Sequence, residues 1–366
     1  MPASSFKPAA HPADYDDAID SSADLARKEA PMKSYHANSG GGLASLVAKE
    51  HSVPQPGPRE VLVRVRANSL NAREFSVLAG TYPLPVKPDV IMCADGAGEI
   101  VAVGPGVRQR TVGDRVVAAM FPDWFDGPIA PEYAAQIGGS LDGMLSEYVV
   151  LHEEALLSVP DHLSFEEGAT LPCAAVTAWN ALTGARRLVA GHTVLTLGTG
   201  GVSLFAMQFA KLFGARVIAI TSSEEKARRL KDAGADEVIN YRAFPDWHLA
   251  VRERTNGRGV DQVVDIGGGT LERSIRSVAL DGLVNFIGRL SAESSTIDMN
   301  TLYSAAATVR VVFAGNRAHF AAMNRAITVN RLRPIIDHVF PFDDVLGAFR
   351  YYEAQRMFGK IVISQS

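Results

Sequence analysis

Cysteine and long apolar runs are the two things this sequence has least of. Its 366 residues include only two cysteines, Cys93 and Cys173, which excludes a disulfide framework and is typical of proteins from a reducing compartment. No stretch approaches the ~18 consecutive apolar residues of a membrane-spanning helix. We therefore expect a cytoplasmic protein without a membrane segment.

A strong net charge is also missing. Lys and Arg number 36 against 40 Asp and Glu, which gives a formal net charge of −4. Surfaces that bind nucleic acid or anionic membranes depend on a basic excess, so neither partner is expected. The hydrophobic fraction of 47% is ordinary for a globular chain, and the length predicts two domains.

The first 31 residues differ from the rest because they are rich in Ala, Asp, Ser and Pro. They lack the basic start and apolar centre of a secretory signal. We interpret residues 1–31 as a flexible N-terminal tail. A short helix over Ala18–Glu29 and a partner-binding arm are the alternatives.

The remaining sequence has two patterns. Short alternating runs such as "EVLVRVRANSL" and "SEYVVLH", separated by Gly and Pro, predict a mostly antiparallel β domain over 32–164. Over 165–314, apolar strands alternate with helical segments, which predicts a doubly wound parallel sheet. The closing "GKIVIS" predicts that 315–366 returns to the first domain. A ligand site is expected in the cleft between the two.

Three glycines, Gly198, Gly200 and Gly201, lie between the strand "TVLTLG" and a helix. A dinucleotide pyrophosphate needs a backbone that turns tightly and can be approached without a Cβ, at a helix N-terminus. Ser203 stands where a third glycine is usual, and it is small enough for close packing of helix on strand. The pattern predicts phosphate binding, with a merely structural turn as the alternative.

The end of the next strand indicates which cofactor binds. An NAD site needs an acid there for the ribose 2′-hydroxyl, but this chain has Thr221, Ser222 and Ser223, followed by Lys226. Hydroxyl groups and a cation fit a 2′-phosphate. Ser223 is also a good helix cap, and Glu224 is the rival ligand for the ribose. We predict NADP(H) in preference to NAD(H), with Ser222 and Lys226 as ligands.

The chain resembles the medium-chain dehydrogenase/reductase superfamily, and most closely its zinc-independent, quinone oxidoreductase-like branch. The resemblance covers roughly Met32 to the C-terminus and rests on ordered motifs: "NSLNAREFSVLAGTYP", "CADGAGEIVAVGPGV", "VGDRVVA", "GMLSEYVVL", "EEGATLPCAAVTAWNAL", the glycine turn, "DAGADEVINY" and "GKIVI". It implies an α/β fold in which a GroES-like β domain is joined to a Rossmann domain. It also implies hydride transfer to or from a nicotinamide.

The resemblance also identifies the metal positions, and most of the ligands are missing. Asn71 stands in the region of the first zinc ligand, a Cys in zinc-dependent members. "CADG" replaces their Gly-His-Glu, so that Ala94 takes the place of His and Asp95 that of Glu. Cys173 alone matches a ligand, and the structural cluster of four cysteines is absent from the sequence. We expect no zinc, and we expect Cys173 to line the nicotinamide pocket.

The resemblance implies that Asn71 and Tyr82 orient the substrate and the nicotinamide. The alternatives are a turn residue at Asn71 and a core aromatic at Tyr82. Glu74 stands where an Asp is commoner, so no general acid is assigned. Further cofactor contacts carried over from the family are Thr177, Val202, Tyr241, Ile266, Gly267, Ile287 and Gly288.

Two regions are open to more than one interpretation. Trp124, Phe125 and Tyr133 belong to a long irregular loop that either lines an apolar substrate pocket or covers the domain. His36, His51 and His152 are isolated in the sequence and are interpreted as packing or surface residues rather than a metal site. The apolar strand Thr308–Ala314 is expected at the edge of the Rossmann sheet, where related proteins pair about a two-fold axis, so a homodimer is predicted.

Three functions are compatible with the sequence. The preferred one is an NADPH-dependent reductase of quinones, enones or related carbonyls that works without zinc. The second is an alcohol or aldehyde dehydrogenase of the same superfamily, and the third is an NADPH-binding protein without catalysis.

Overall fold

The computed structural model describes residues 31–288 and 296–365. The predicted tail falls almost entirely outside these residues, and so does the alternative helix over Ala18–Glu29. Within the described part of the chain, strands and helices form two units around the two predicted sheets. None of the helices described is long and apolar enough to cross a bilayer.

The first unit is built on a sheet of seven strands in the described residues. The order is β15-β16-β3-β5-β6-β8. The seventh strand, β7, pairs with the first part of β3, on the edge opposite β5. All pairs are antiparallel except β15 with β16, so the predicted, mostly antiparallel architecture is confirmed. The strands are β3 (Glu60–Ser69), β5 (Asp95–Val103), β6 (Arg115–Ala118), β7 (Tyr148–His152), β8 (Leu156–Ser158), β15 (Ile336–Pro341) and β16 (Lys360–Ser364).

A small antiparallel sheet covers one end of this unit. Its order is β2-β1-β4, formed by β1 (Pro31–Ala37), β2 (Val47–Ser52) and β4 (Val90–Ile91). Short 3-10 turns connect neighbouring elements at Leu43–Ser45, Pro131–Tyr133, Glu153–Ala155 and Phe342–Asp344.

The second unit is built on a fully parallel sheet in the order β11-β10-β9-β12-β13-β14. This is the doubly wound order in which the chain starts at the centre and builds outward in both directions. The strands are β9 (Thr193–Leu197), β10 (Arg216–Thr221), β11 (Glu237–Asn240), β12 (Val260–Asp265), β13 (Val278–Phe286) and β14 (Thr308–Val311).

Helices flank both sheets. They are α1 (Ala72–Leu78), α2 (Phe165–Ala169), α3 (Val176–Thr183), α4 (Gly201–Leu212), α5 (Glu224–Asp232), α6 (Trp247–Arg254), α7 (Leu271–Ser277), α8 (Met299–Ala305), α9 (Arg317–Asn330) and α10 (Val345–Glu353). A π-helical turn, Leu171–Ala175, leads directly into α3. The predicted alternation of strands with helical segments is confirmed, since α4, α5 and α7 each follow a strand of the parallel sheet.

One continuous core joins the two units. Every residue of β9 is buried, and α4 packs Leu204, Phe205 and Phe209 into a cluster that also holds Val117 of the first unit. Helix α9 lies in the segment predicted to rejoin the β domain, yet Phe320 is buried in the same cluster. The domain boundaries drawn from the sequence therefore stay a prediction.

Candidate active site

The glycine turn lies at the centre of the parallel sheet, between β9 and α4. Gly198 follows β9 with a φ of +80°, a conformation that favours glycine. Gly200 is the N-cap of α4, and a Cβ built on it would have no heavy atom within 4 Å. Because the sheet order reverses beside β9, this turn opens at the switch point where doubly wound sheets bind their ligands.

Gly201 meets a different requirement from Gly200. A Cβ on Gly201 would lie 2.5 Å from Cδ of Lys360 and 3.2 Å from Cβ of Ala174, so the missing side chain makes room for the lysine stem. Ser203 is also explained, because its buried hydroxyl donates to the carbonyl of Leu197 at 2.5 Å. This hydrogen bond therefore holds the first turn of α4 against β9.

The carboxyl ends of the neighbouring strands bring several predicted contacts together. Ile266 and Gly267 follow β12, and Ile287 and Gly288 follow β13. The Ile287 amide donates to the Asp265 carbonyl at 2.8 Å. A Cβ on Gly198 would approach Cδ1 of Ile266 at 3.5 Å. These residues therefore form one wall beside the glycine turn.

The end of β10 has the cap that the sequence suggested. The Lys226 amide donates to Oγ of Ser223 at 3.2 Å, and burial lowers the pKa of the Lys226 ammonium. Its Nζ is 3.4 Å from the Gln355 carbonyl. Glu224 accepts from the Asn240 side chain at 2.6 Å. Ser222 is half-buried beside this cap.

The remaining predicted contacts are placed as follows. Tyr241, 42% exposed, follows β11, and its amide donates to the Thr221 carbonyl at 2.9 Å. Val202 is half-buried in the first turn of α4. Thr177 is buried, and its hydroxyl donates to the Cys173 carbonyl at 2.6 Å. The hydroxyl proton of Thr177 is therefore already engaged by the π-helical turn that precedes its helix.

Asn71 is held at the start of α1 in the first unit. Its backbone amide donates to Oε2 of Glu74 at 2.9 Å. Its side-chain Nδ2 donates to Oδ2 of Asp95 at 2.9 Å. Only 8% of Asn71 is exposed, so the amide is fixed inside the protein.

Lys360 completes this arrangement, and sequence reasoning missed it. Its Nζ donates to the Leu70 carbonyl at 2.8 Å and to Oδ1 of Asn71 at 2.5 Å, and it is 3.3 Å from Oδ2 of Asp95. The side chain is only 3% exposed. One signal was available: a lysine inside the apolar strand "GKIVIS" must find a buried partner or leave the core.

Asp95 is the anion of this pair. Burial raises the pKa of its carboxyl to about 6, against the lowering effect of Lys360 and of the Asn71 hydrogen bond. Its Oδ1 is buried and has no hydrogen-bond partner among the described residues. A carboxylate with an unsatisfied oxygen is expensive to bury.

A second buried ion pair lies next to the first. Arg73 donates from Nη1 to Oε1 of Glu74 at 3.1 Å and from Nη2 to the Gly138 carbonyl at 2.9 Å. The guanidinium carbon is 4.7 Å from the ring centre of Tyr82. Burial raises the pKa of the Tyr82 hydroxyl, although Arg73 opposes the shift. We call the side chains brought together here the polar cluster: Asn71, Arg73, Glu74, Asp95 and Lys360.

Cys173 lies near the polar cluster, in the π-helical turn. Burial, with smaller contributions from Asp95 and Glu74, raises the pKa of its thiol far above the ordinary value. A single cysteine supplies at most one of the four ligands of a zinc site.

The residues at the zinc positions do not fit zinc. Asn71 and Ala94 supply no thiolate or imidazole, and the Lys360 ammonium is bonded directly to Asn71 and Asp95. Across 31–288 and 296–365, no three His, Cys, Asp or Glu side chains are grouped so that they could hold a metal ion. Of the residues at these positions, only Cys173 is of a type that commonly binds zinc without an adjacent ammonium group.

The aromatic loop and the histidines are also placed. Trp124 is buried, and its Nε1 donates to the Gly127 carbonyl at 3.0 Å, whereas Phe125 is 43% exposed. The carbonyls of both residues accept from the first amides of α9, which connects this part of the loop to that helix. His36 and His51 meet, with their Nε2 atoms 3.0 Å apart, between β1 and β2.

Comparison with known proteins identifies both units. The alcohol dehydrogenase GroES-like domain matches residues 57–161, and the zinc-binding dehydrogenase family matches 201–328. A zinc-type alcohol dehydrogenase-like protein of Schizosaccharomyces pombe is 41% identical over 331 residues, which cover 88% of this chain and 96% of the relative. A quinone oxidoreductase of Pseudomonas aeruginosa is 36% identical over 264 residues, 72% of this chain and 75% of the relative.

A solved structure agrees with these relatives. An NAD-dependent alcohol dehydrogenase superposes with a TM-score of 0.83 at 34% identity, covering 92% of this chain and 100% of that one. The predicted fold, a GroES-like β domain with a Rossmann-type parallel sheet, is confirmed. The chain is an oxidoreductase and belongs to the medium-chain dehydrogenase/reductase superfamily.

Proposed function

We propose that this oxidoreductase uses NADPH to reduce quinones, enones or related conjugated carbonyls, and that it works without zinc. The observation that carries the proposal is the Lys360 ammonium, 2.5 Å from the Asn71 amide oxygen at the position of the first metal ligand. A fixed cation there supports a site that polarises a carbonyl through hydrogen-bond donors instead of a Lewis acid.

The charge balance of the polar cluster supports a neutral substrate. Arg73 pairs with Glu74, and Lys360 pairs with Asp95, so the four buried charges cancel. A carboxylate or phosphate group would find no unpaired cation in this cluster. A quinone or enone oxygen needs only hydrogen-bond donors.

NADPH, when bound, supplies a hydride to the β-carbon of the conjugated carbonyl. Negative charge then develops on the carbonyl oxygen, and donors aimed at that oxygen lower the barrier. Asn71 and Tyr82 are the proposed donors. Because burial raises the pKa of Tyr82, its hydroxyl keeps the proton that it donates.

The second unit would hold the cofactor. The open turn at Gly198 and Gly200, with the N-terminus of α4, fits a pyrophosphate, since nothing fills the space beside Gly200. Ser222 and Lys226 are proposed for the 2′-phosphate. The other proposed contacts are Thr177, Gly201, Val202, Tyr241, Ile266, Gly267, Ile287 and Gly288.

One experiment tests the reaction and the metal together. The purified, dialysed protein is analysed for zinc and assayed against quinones, enones, alcohols and aldehydes with each cofactor. We expect NADPH-dependent reduction of a conjugated carbonyl and far less than one zinc per chain. About one zinc per chain, or turnover confined to alcohols, would contradict the proposal.

An alcohol or aldehyde dehydrogenase is the second candidate. The relatives from Schizosaccharomyces pombe and among solved structures carry alcohol dehydrogenase names, which supports it. NADPH binding without turnover on any of these substrates would favour the third candidate, a binding protein without catalysis.

We further propose a cytoplasmic homodimer that pairs through β14. This strand ends the parallel sheet in the described residues, and Val311 on it is 59% exposed. An exposed apolar edge strand tends to pair with another chain. Light scattering should give twice the 39.2 kDa of one chain, and Val311→Lys should shift the mass toward the monomer. A monomer mass for the unmutated protein would contradict the dimer.

A further inference from the structure

The Asn71 amide can adopt only one orientation in the polar cluster. Lys360 can only donate, so the atom 2.5 Å from its Nζ must be the amide oxygen. The Asp95 carboxylate can only accept, so the atom 2.9 Å from its Oδ2 must be the amide nitrogen. A flipped amide would place NH₂ against an ammonium and oxygen against a carboxylate. The two charges therefore select the same orientation independently.

This orientation leaves one donor unused. An amide nitrogen carries two protons, and one of them is taken by Asp95. The other has no acceptor in the described part of the chain, although Asn71 is buried. We propose that Lys360 and Asp95 are positioning residues that lock the Asn71 amide so that its second N–H donates to the substrate oxygen.

The burial of the pair favours this role over simple stabilisation. A buried ion pair is often no more stabilising than apolar residues of similar volume. Here the arrangement also leaves Oδ1 of Asp95 without a partner, and it requires a glycine at position 201 to admit the lysine stem. Stable folding by itself requires neither the unpaired carboxylate oxygen nor the glycine. Fixing the orientation of one amide does need both charges.

The inference rests on the proposed function, because it takes Asn71 as the group that meets the substrate oxygen. The test compares Lys360→Met, Asp95→Asn and the double variant Lys360→Met/Asp95→Asn. In the double variant no charge is left unpaired, and an amide at position 95 can bond to Asn71 in either orientation. Lys211→Met is the matched control, since it breaks an exposed lysine–aspartate pair with Asp236.

The expected result separates stability from positioning. Each single variant should unfold at a lower temperature, and the double variant should recover most of that loss. Its kcat should nevertheless stay about 100-fold below that of the unmutated enzyme, the loss typical of one misplaced donor, while the Kd for NADPH stays within about threefold. Lys211→Met should leave the unfolding temperature and kcat unchanged. A double variant with near-normal kcat would overturn the positioning role.

A second readout needs no substrate. In protein labelled with ¹⁵N only at asparagine, the Asn71 side-chain NH₂ signals are identified by their loss in Asn71→Ser. We expect one sharp pair of signals in the unmutated protein and broadened or doubled signals in the double variant. Unchanged signals would overturn the locked amide. If the unmutated protein shows no reductase turnover but its Asn71 signals respond as expected, the proposed function fails and the locking stands.

Discussion

The glycine turn and the polar cluster lie on either side of Lys360, and they are built in opposite ways. The turn keeps side chains out, and the space beside Gly200 is open. The cluster packs four charged side chains together, each no more than 8% exposed. An open backbone suits a large ligand that brings its own charges, whereas a filled cluster with balanced charges suits contact with a small neutral group. The comparison predicts that the two sides respond differently to substitution.

The largest effect is expected on the filled side. Glu74→Ala should lower the free energy of unfolding by about 3–5 kcal/mol, because the buried Arg73 would lose its counter-charge. Asp343→Ala breaks an exposed pair with Lys33 and should cost less than about 1 kcal/mol. Urea unfolding measures both variants. Similar losses would show that the cluster is no more demanding than the surface.

The next effect concerns cofactor choice on the open side. Charge-assisted contacts to a 2′-phosphate contribute roughly 1.5–3 kcal/mol each, so NADPH should bind at least about tenfold more tightly than NADH. Lys226→Ala should weaken NADPH and leave NADH unchanged, and Ser222→Asp should weaken NADPH further. Arg228→Ala, an exposed neighbour on α5, is the control. Fluorescence titration that gives equal dissociation constants for both cofactors would end the 2′-phosphate assignment.

Two adjacent glycines allow a sharper test. Gly201→Ala forces a Cβ against the Lys360 stem and should lower stability by about 1–3 kcal/mol. Gly200→Ala meets no atom and should change stability by less than about 0.5 kcal/mol, yet it should weaken NADPH binding. Thermal unfolding and titration are run on both variants. The reverse order of stability losses would contradict the packing described here.

The most gradual effect is a dependence of stability on pH, because it is spread over about two pH units. Asp95 has its pKa raised from 3.8 to about 6, chiefly by burial, with Glu74 adding to the shift and Lys360 and Asn71 opposing it. The folded carboxyl therefore holds its proton more tightly than the unfolded one. Its contribution to the free energy of unfolding falls as pH rises from about 4 to 6, by at most about 1.4 kcal/mol per pH unit.

Asp95→Asn should remove this dependence. The stability of the unmutated protein relative to this variant should fall between about pH 4 and 6 and then level off. Urea unfolding at a series of pH values measures the difference. A difference that rises over this interval would mean that folding lowers the pKa of the Asp95 carboxyl instead of raising it.

The open side, formed by the glycine turn and the strands around it, could be predicted from the sequence because the residues that define it are close together along the chain. The glycine turn, the strands around it and the Ser223 cap each lie within a few residues of one another, and the structure places them as expected. The role of Gly201 could not be read in this way. Its neighbour, Lys360, is far away along the chain and belongs to the other unit.

The filled side, formed by the polar cluster, could be predicted only in part from the sequence. Asn71 and Tyr82 were found through the family resemblance, and their roles stay a proposal. Lys360 and Arg73 were missed, because a buried cation is recognised by its partners, and those of Lys360 lie 265 to 290 residues away. The apolar run around Lys360 could have flagged it as buried, but no local pattern could have named Asn71 and Asp95.

The pairing of β16 with β3 also bears on the order in which the protein assembles. In the antiparallel register, Val362 lies opposite Ser69, yet the whole parallel sheet from β9 to β14 is synthesised between these two strands. The first unit therefore remains incomplete on the ribosome until the second has been made. In the meantime β7 covers only the first part of that edge of β3, and Ala67–Ser69 has no partner strand there. Long-range closures of this kind slow folding and expose strand edges to misassociation. The polar cluster, which needs Lys360 of β16, would then be among the last parts of the molecule to form.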